Sequence, residues 1–164
     1  MPKYPTLLAL VLACILPACQ STNLDEVVGS ITRAGSSIES VRTGDLVAAG
    51  QQQFKAGNFG KSYELYKKAA EAYPQNPSAW LGLAASADQL GRFDTSDQAY
   101  RALAMLAPDS PAYQNNLGYS YMLRGDLKSA QSHLLKAQGM APSNLVVMNN
   151  LRLLDRSTSL ARHG

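Results

Sequence analysis

Two cysteines, two histidines and a few carboxylates are the side chains of this 164-residue sequence whose types invite chemistry. Cys14 and Cys19 are its only thiols, and both close an apolar N-terminal run, "LLALVLACILPACQSTN", that turns abruptly polar. His133 falls on a helix face expected to point outward, and His163 stands next to the last residue. Neither has a second histidine or an acid at ligand spacing, so a metal site lacks its parts. Asp94 and Asp97 suit the capping and charging of a helix N-terminus better than an acid–base pair. No serine sits in a strand-to-helix elbow, and no glycine-rich loop opens a βαβ unit. The pattern therefore points away from an enzyme, and the chemistry that remains is that of the Cys19 thiol.

The run from Tyr4 to Cys19 is broken by Pro5 and Pro17. It falls short of the roughly 20 residues that span a bilayer. With Lys3 before it and small Ala18 at its end, it reads as a secretory signal peptide over residues 1–18. Cutting before Cys19 leaves bulky Leu16 at the −3 position, where a general signal peptidase needs a small residue. Leu16-Pro17-Ala18-Cys19 resembles instead the bacterial lipobox, which implies a diacylglyceryl thioether on Cys19 and no other cofactor. Val11-Leu12-Ala13-Cys14 has the same shape but leaves too short an apolar core ahead of it, so Cys14 is expected to leave with the signal. Several acyl chains hold firmly, each buried methylene contributing about 0.8 kcal/mol. Gln20, where a sorting aspartate would otherwise stand, implies the periplasmic face of the outer membrane. The alternative is a soluble periplasmic protein whose Cys19 is never modified.

Loss of Lys3 takes the balance from 15 basic and 12 acidic residues to 14 and 12, a net charge of +2. That is too weak and scattered for a nucleic-acid partner. With both cysteines spent in this segment, stability must come from packing rather than disulfides. Residues 19–42 form the lipidated N-terminus and a tether rich in Ser, Thr, Gly and charge. Leu24, Val27, Val28, Ile31, Ile38 and Val41 recur at near-helical intervals, so part of this tether is open to a helical reading.

From Thr43 the sequence repeats. Sliding it by 34 positions superposes Gly57, Gly91 and Gly125, then Tyr66, Tyr100 and Leu134, then Pro74, Pro108 and Pro142, without an insertion across about 100 residues. Three units emerge, 43–76, 77–110 and 111–144, each of two amphipathic helices joined by a glycine-containing turn. A further stretch, 145–157, is expected to be a capping helix whose polar face carries Arg152, Asp155 and Arg156. Residues 158–164 are expected to be a flexible tail. The 34-residue helix-turn-helix period resembles the tetratricopeptide repeat and implies an all-α solenoid.

The repeated residue types have physical reasons. Gly50, Ala84 and Gly118 fall where the two helices of a unit cross, facing Ser62, Ser96 and Ala130, because a larger side chain would hold the backbones apart. The turn glycines supply a positive φ. Pro77 and Pro111 suit a first helical turn, with Asn76 and Ser110 before them as N-caps. Gln53 and Gln114 depart from the apolar types usual at their positions.

First helices of such a stack line a concave groove, which the register assigns to Val47, Gln51 and Phe54, then Leu81, Ala85 and Asp88, then Asn115, Tyr119 and Met122. This mixed apolar and amide lining suits a helical or extended segment of a partner protein. It lacks the basic cluster that clamps a C-terminal carboxylate. With its signal, lipobox, short tether and phrases such as "AWLGLAASADQLGRFDTSDQAYR" and "NNLGYSYMLRGDLKSA", the chain resembles the TadD group of lipoproteins of tight-adherence (Flp) pilus systems. That resemblance implies a pilotin-like adaptor that binds the secretin or a neighbouring pilus component. The alternative is an envelope scaffold for cell-wall enzymes or another secretion system.

Overall fold

The computed structural model describes residues 44–163. The signal peptide, Cys19 and the tether lie outside the described residues. Those described form seven helices and no strand. They are α1 (44–55), α2 (Phe59–Ala72), α3 (Pro77–Gln89), α4 (Phe93–Leu106), α5 (Pro111–Leu123), α6 (Leu127–Met140) and α7 (Leu145–His163).

Several helix boundaries have a local chemical cause. Asn76 accepts hydrogen bonds from the Ser78 and Ala79 N–H groups, Ser110 from that of Tyr113, and Asn144 from those of Val146 and Val147. Such side chains satisfy N–H groups that have no partner within the helix. The first helix of each unit ends on a glycine of positive φ, 75° at Gly57, 68° at Gly91 and 80° at Gly125. At each, the glycine N–H reaches back three residues and the next N–H five, as at Gly57 to Phe54 and Asn58 to Gln53. This closes the last carbonyls of the helix and turns the chain into the second one.

Packing follows the small residues. Ser62 donates to the Gly50 carbonyl at 2.9 Å, and its oxygen lies 2.9 Å from that of buried Ser86, which ties unit one to unit two. A Cβ on Gly118 would stand 2.8 Å from Leu134 Cγ and 3.2 Å from the Ala130 carbonyl oxygen. Around these crossings Tyr63, Tyr66, Leu83, Tyr100, Leu103 and Leu117 build one core, while Ala130, Leu134 and Leu154 build a second at the C-terminal end.

Two expectations change here. Helix α7 continues to His163, through the stretch read as a flexible tail. Its small polar residues are compatible with a helix because their hydroxyls bond back onto it: Ser157 donates to the Leu153 carbonyl, and Thr158 to those of Leu154 and Asp155. Buried Val147 and Leu154 hold its inner face. The outer side is not wholly polar either. Arg152, Asp155 and Arg156 are exposed as expected, but so are Leu145, Val146, Leu153 and Leu160.

Candidate functional site

The first helices, α1, α3, α5 and α7, share a face carrying two adjoining clefts. One, of 420 Å³, is bounded by Val47, Gln51, Phe54 and Lys55 of α1 and by Leu81 and Ala85 of α3, and reaches Asn116 of α5. The second, of 380 Å³, runs over Ala85, Asp88, Asn115 and Tyr119 to Val146, Asn150 and Leu153 of α7. Phe54, Ala85 and Asn116 belong to both. Sharing these three residues, the two clefts adjoin along the face of the first helices.

Eight of the nine positions assigned to the groove by register line these clefts; Met122 does not. Met122 packs with Leu127 and Leu151 against Leu134 and Leu154, because α7 covers the end of α5. Two of the eight are also less available than their register suggests. Asp88 is only 4% exposed; it accepts from the Tyr100 hydroxyl at 2.9 Å and the Ser120 hydroxyl at 2.8 Å, with Arg124 at 3.8 Å. Asn115 is buried and accepts from the Asn150 amide at 2.9 Å. Among the described residues the groove therefore offers no free acid, and Lys55 is its one accessible charge. Asn116, which lines both clefts, donates to the Ala112 carbonyl of its own helix.

Burial at Asp88 has an electrostatic consequence. The Tyr100 phenol is pushed well above its ordinary pKa, first by burial and then by the Asp88 carboxylate, so it remains a donor. Arg124, at the end of α5, completes the network. It meets Asp97 at 2.7 Å, Ser96 at 3.0 Å and Ser120 at 2.9 Å, and stacks over Phe93. Asp97 thus serves a bridge between units two and three rather than the helix N-terminus alone. Asp94 keeps its expected place in the first turn of α4.

His133 also departs from its expected outward place. It is half-buried, with Nδ1 2.7 Å from Gln114 Oε1 and its ring stacked on Tyr121. Burial chiefly, and Lys136 secondarily, lower its pKa. Gln114, the polar departure at a usually apolar position, is explained by this partner and by its donation to the Pro108 carbonyl. Among the described residues no three His, Cys, Asp or Glu side chains gather as a metal site requires, and no helix is long and apolar enough to cross a membrane.

Sequence reasoning missed Lys55, Asn116, the α7 residues Val146, Asn150 and Leu153, and Tyr66, which reaches the first cleft from α2. Signals for the last two existed. The Asn-Asn pair at 115–116 recurs at 149–150, which carries the groove into α7, and Gly82 marks a missing side chain in mid-helix.

Two family models, both described as tetratricopeptide repeat, match residues 53–118 and 111–144, together more than half of the chain. A Mycosarcoma maydis protein, small glutamine-rich tetratricopeptide repeat-containing protein 2, is 26% identical over 106 residues, covering 65% of this chain. The match spans only 30% of that relative's length. Among solved structures, the first such domain of human RPAP3 superposes with a TM-score of 0.64 at 19% identity, over 74% of this chain and 96% of that one. PcrH in complex with the chaperone binding region of PopD gives 0.59 at 21%, over 71% and 91%. The Yersinia enterocolitica type III secretion chaperone SycD with a peptide of the translocator YopD gives 0.58 at 16%, over 72% and 90%. Helix pairs, turn glycines, small crossings and these matches agree that the chain belongs to the tetratricopeptide repeat family.

Proposed function

We propose that this chain is a non-catalytic adaptor that holds a segment of a partner protein along the concave face of α1, α3, α5 and α7. The observation that carries this is the pair of adjoining clefts, which share Phe54, Ala85 and Asn116 and are lined mainly by apolar and amide groups. Such a lining suits a chain whose side chains need burial and whose backbone needs hydrogen bonds. PcrH with its PopD region and SycD with its YopD peptide are bodies of like fold that carry a segment of another protein, which supports the same mode here.

The finer reading is a lipid-anchored protein on the periplasmic face of a bacterial outer membrane, attached through Cys19. There it assists Tad/Flp pilus biogenesis by binding and helping to localise or assemble the secretin or a neighbouring component. It rests on Leu16-Pro17-Ala18-Cys19, on Gln20 and on the likeness to the TadD group. Secretin multimers in outer membranes of the native host test it, with the wild-type gene, a deletion and Cys19→Ser compared. Loss of multimers in both mutants is expected. Unchanged multimers in the deletion would overturn the pilus role, and loss in the deletion alone would overturn the anchor.

A further inference from the structure

The first cleft contains a hydrogen-bond donor without a partner among the described residues. Tyr66 belongs to α2, a second helix, yet it lines the concave cleft. It reaches there between two glycines: a Cβ on Gly82 would overlap ring atoms Cε1 and Cζ, and one on Gly50 would stand 3.0 Å from Cδ2 and Cε2. The residue is 6% exposed. No hydrogen bond to its hydroxyl is made among the described residues, where Nε of Arg124 is the one fully buried side-chain nitrogen or oxygen without a partner. The Tyr66 oxygen is therefore reached by solvent, and the opening beside it is the cleft.

The next unit shows what such a phenol pairs with. Tyr100 stands 34 residues further on, and its hydroxyl donates to Asp88 at 2.9 Å, with the Arg124 guanidinium 3.8 Å from the same carboxylate. The residue 34 before Asp88 is Phe54, so unit one has the phenol without the acid. It also has a cation: Lys55 lines the same cleft, is exposed, and makes no ion pair among the described residues. A donor and an ammonium without an acceptor carboxylate call for a carboxylate from outside.

Resting on the reading of the concave face as a partner site, we propose that this cleft selects an Asp or Glu side chain beside an apolar one in the partner segment. The carboxylate accepts from the Tyr66 hydroxyl and pairs with Lys55, as Asp88 does with Tyr100 and Arg124. The neighbouring apolar side chain packs against Phe54 and Leu81. The recognised acid is an internal side chain, not a chain terminus.

A phage-displayed library of random peptides, selected on the full-length chain in detergent, tests this. Selected peptides are expected to carry Asp or Glu next to Leu, Ile, Phe or Met. Tyr66→Phe keeps the ring between the glycines and removes only the hydroxyl. It should weaken a selected peptide about tenfold or more, the loss expected for a hydrogen bond to a charged group. The Glu→Ala or Asp→Ala version of that peptide, which offers no acceptor at that place, should bind wild type and variant alike. Peptides that bind without acidic enrichment, or that bind Tyr66→Phe undiminished, would overturn this inference and leave the adaptor reading standing. Recovery of no peptide would count against both. A concentration-dependent dimer that excludes peptide and is itself weakened by Tyr66→Phe would assign the cleft to a second copy of the chain and overturn the inference.

Discussion

The guanidinium of Arg124, at the end of α5, meets the Asp97 carboxylate of α4 at 2.7 Å, while the same side chain lies 3.8 Å from buried Asp88 of α3. One cation thus joins three helices of two units, and its two acids differ in value because they differ in exposure. The Asp88 side chain is 2% exposed and that of Asp97 39%. Asp88→Ala would leave the Tyr100 and Ser120 hydroxyls and part of Arg124 without an acceptor, at an expected cost of about 3–5 kcal/mol. Asp97→Ala should cost about 1 kcal/mol or less, because water screens the pair. Urea unfolding of both variants checks the difference; equal losses would refute the division.

Glycine substitutions should split by what a Cβ would meet. Gly82→Ala would drive a methyl group into the Tyr66 ring, and Gly118→Leu would collide with Leu134, so each is expected to lose about 1–3 kcal/mol. Gly139, in α6, has nothing within 4 Å of its would-be Cβ. Gly139→Ala should therefore gain about 0.4–1 kcal/mol from a stiffer unfolded chain. Thermal melts of the three variants decide, and a neutral Gly118→Leu would undermine the helix register.

Stability should fall on mild acidification through His133. Its pKa is lowered from 6.5 by burial beside Tyr121 and by Lys136, so the unfolded chain binds its proton more readily than the folded one. This contribution is complete above 6.5 and is lost as the pH falls through the lower folded value. Melting temperatures measured between about pH 8 and 5 should drop less in His133→Gln than in the wild type. An NMR titration should place the His133 midpoint below 6.5. A midpoint at or above that value would contradict the burial.

On α7, Leu153 is 43% exposed and lines the second cleft, so Leu153→Asp separates groove from core. Its stability should stay within about 0.5 kcal/mol of wild type. Affinity for a selected peptide that spans both clefts should fall at least tenfold by isothermal titration calorimetry. Unchanged affinity would confine binding to the first cleft.

Phe54→Ala combined with Tyr119→Ala should abolish binding, because Phe54 lines both clefts and Tyr119 the second. It carries a stability cost through the edge-to-face contact of Phe54 with Phe59, whose ring centroids are 5.2 Å apart. Both residues are half-buried. The loss should thus stay below the 3–5 kcal/mol of a fully buried aromatic. A larger loss in denaturant titration would make these side chains core.

Much of this protein is written locally. A glycine with positive φ, a proline in the first turn and an Asn or Ser before it act within a few residues, and their recurrence every 34 residues names the helices and the face that the first helices share. That is why Val47, Phe54, Leu81, Ala85 and Tyr119 are legible as groove lining without coordinates. Side chains whose fate depends on distant partners are not. Asp88 looks like an accessible acid until Tyr100, 12 residues on, and Ser120, 32 residues on, are brought to its two oxygens. Met122 has a groove position until α7 covers it, and Tyr66 looks like simple core until Gly50 and Gly82 open a passage beside its ring. Periodicity assigns a face to each residue, but which polar groups on that face are already satisfied is settled only when separate helices pack, because hydrogen bonding and burial depend on atoms far apart in the chain.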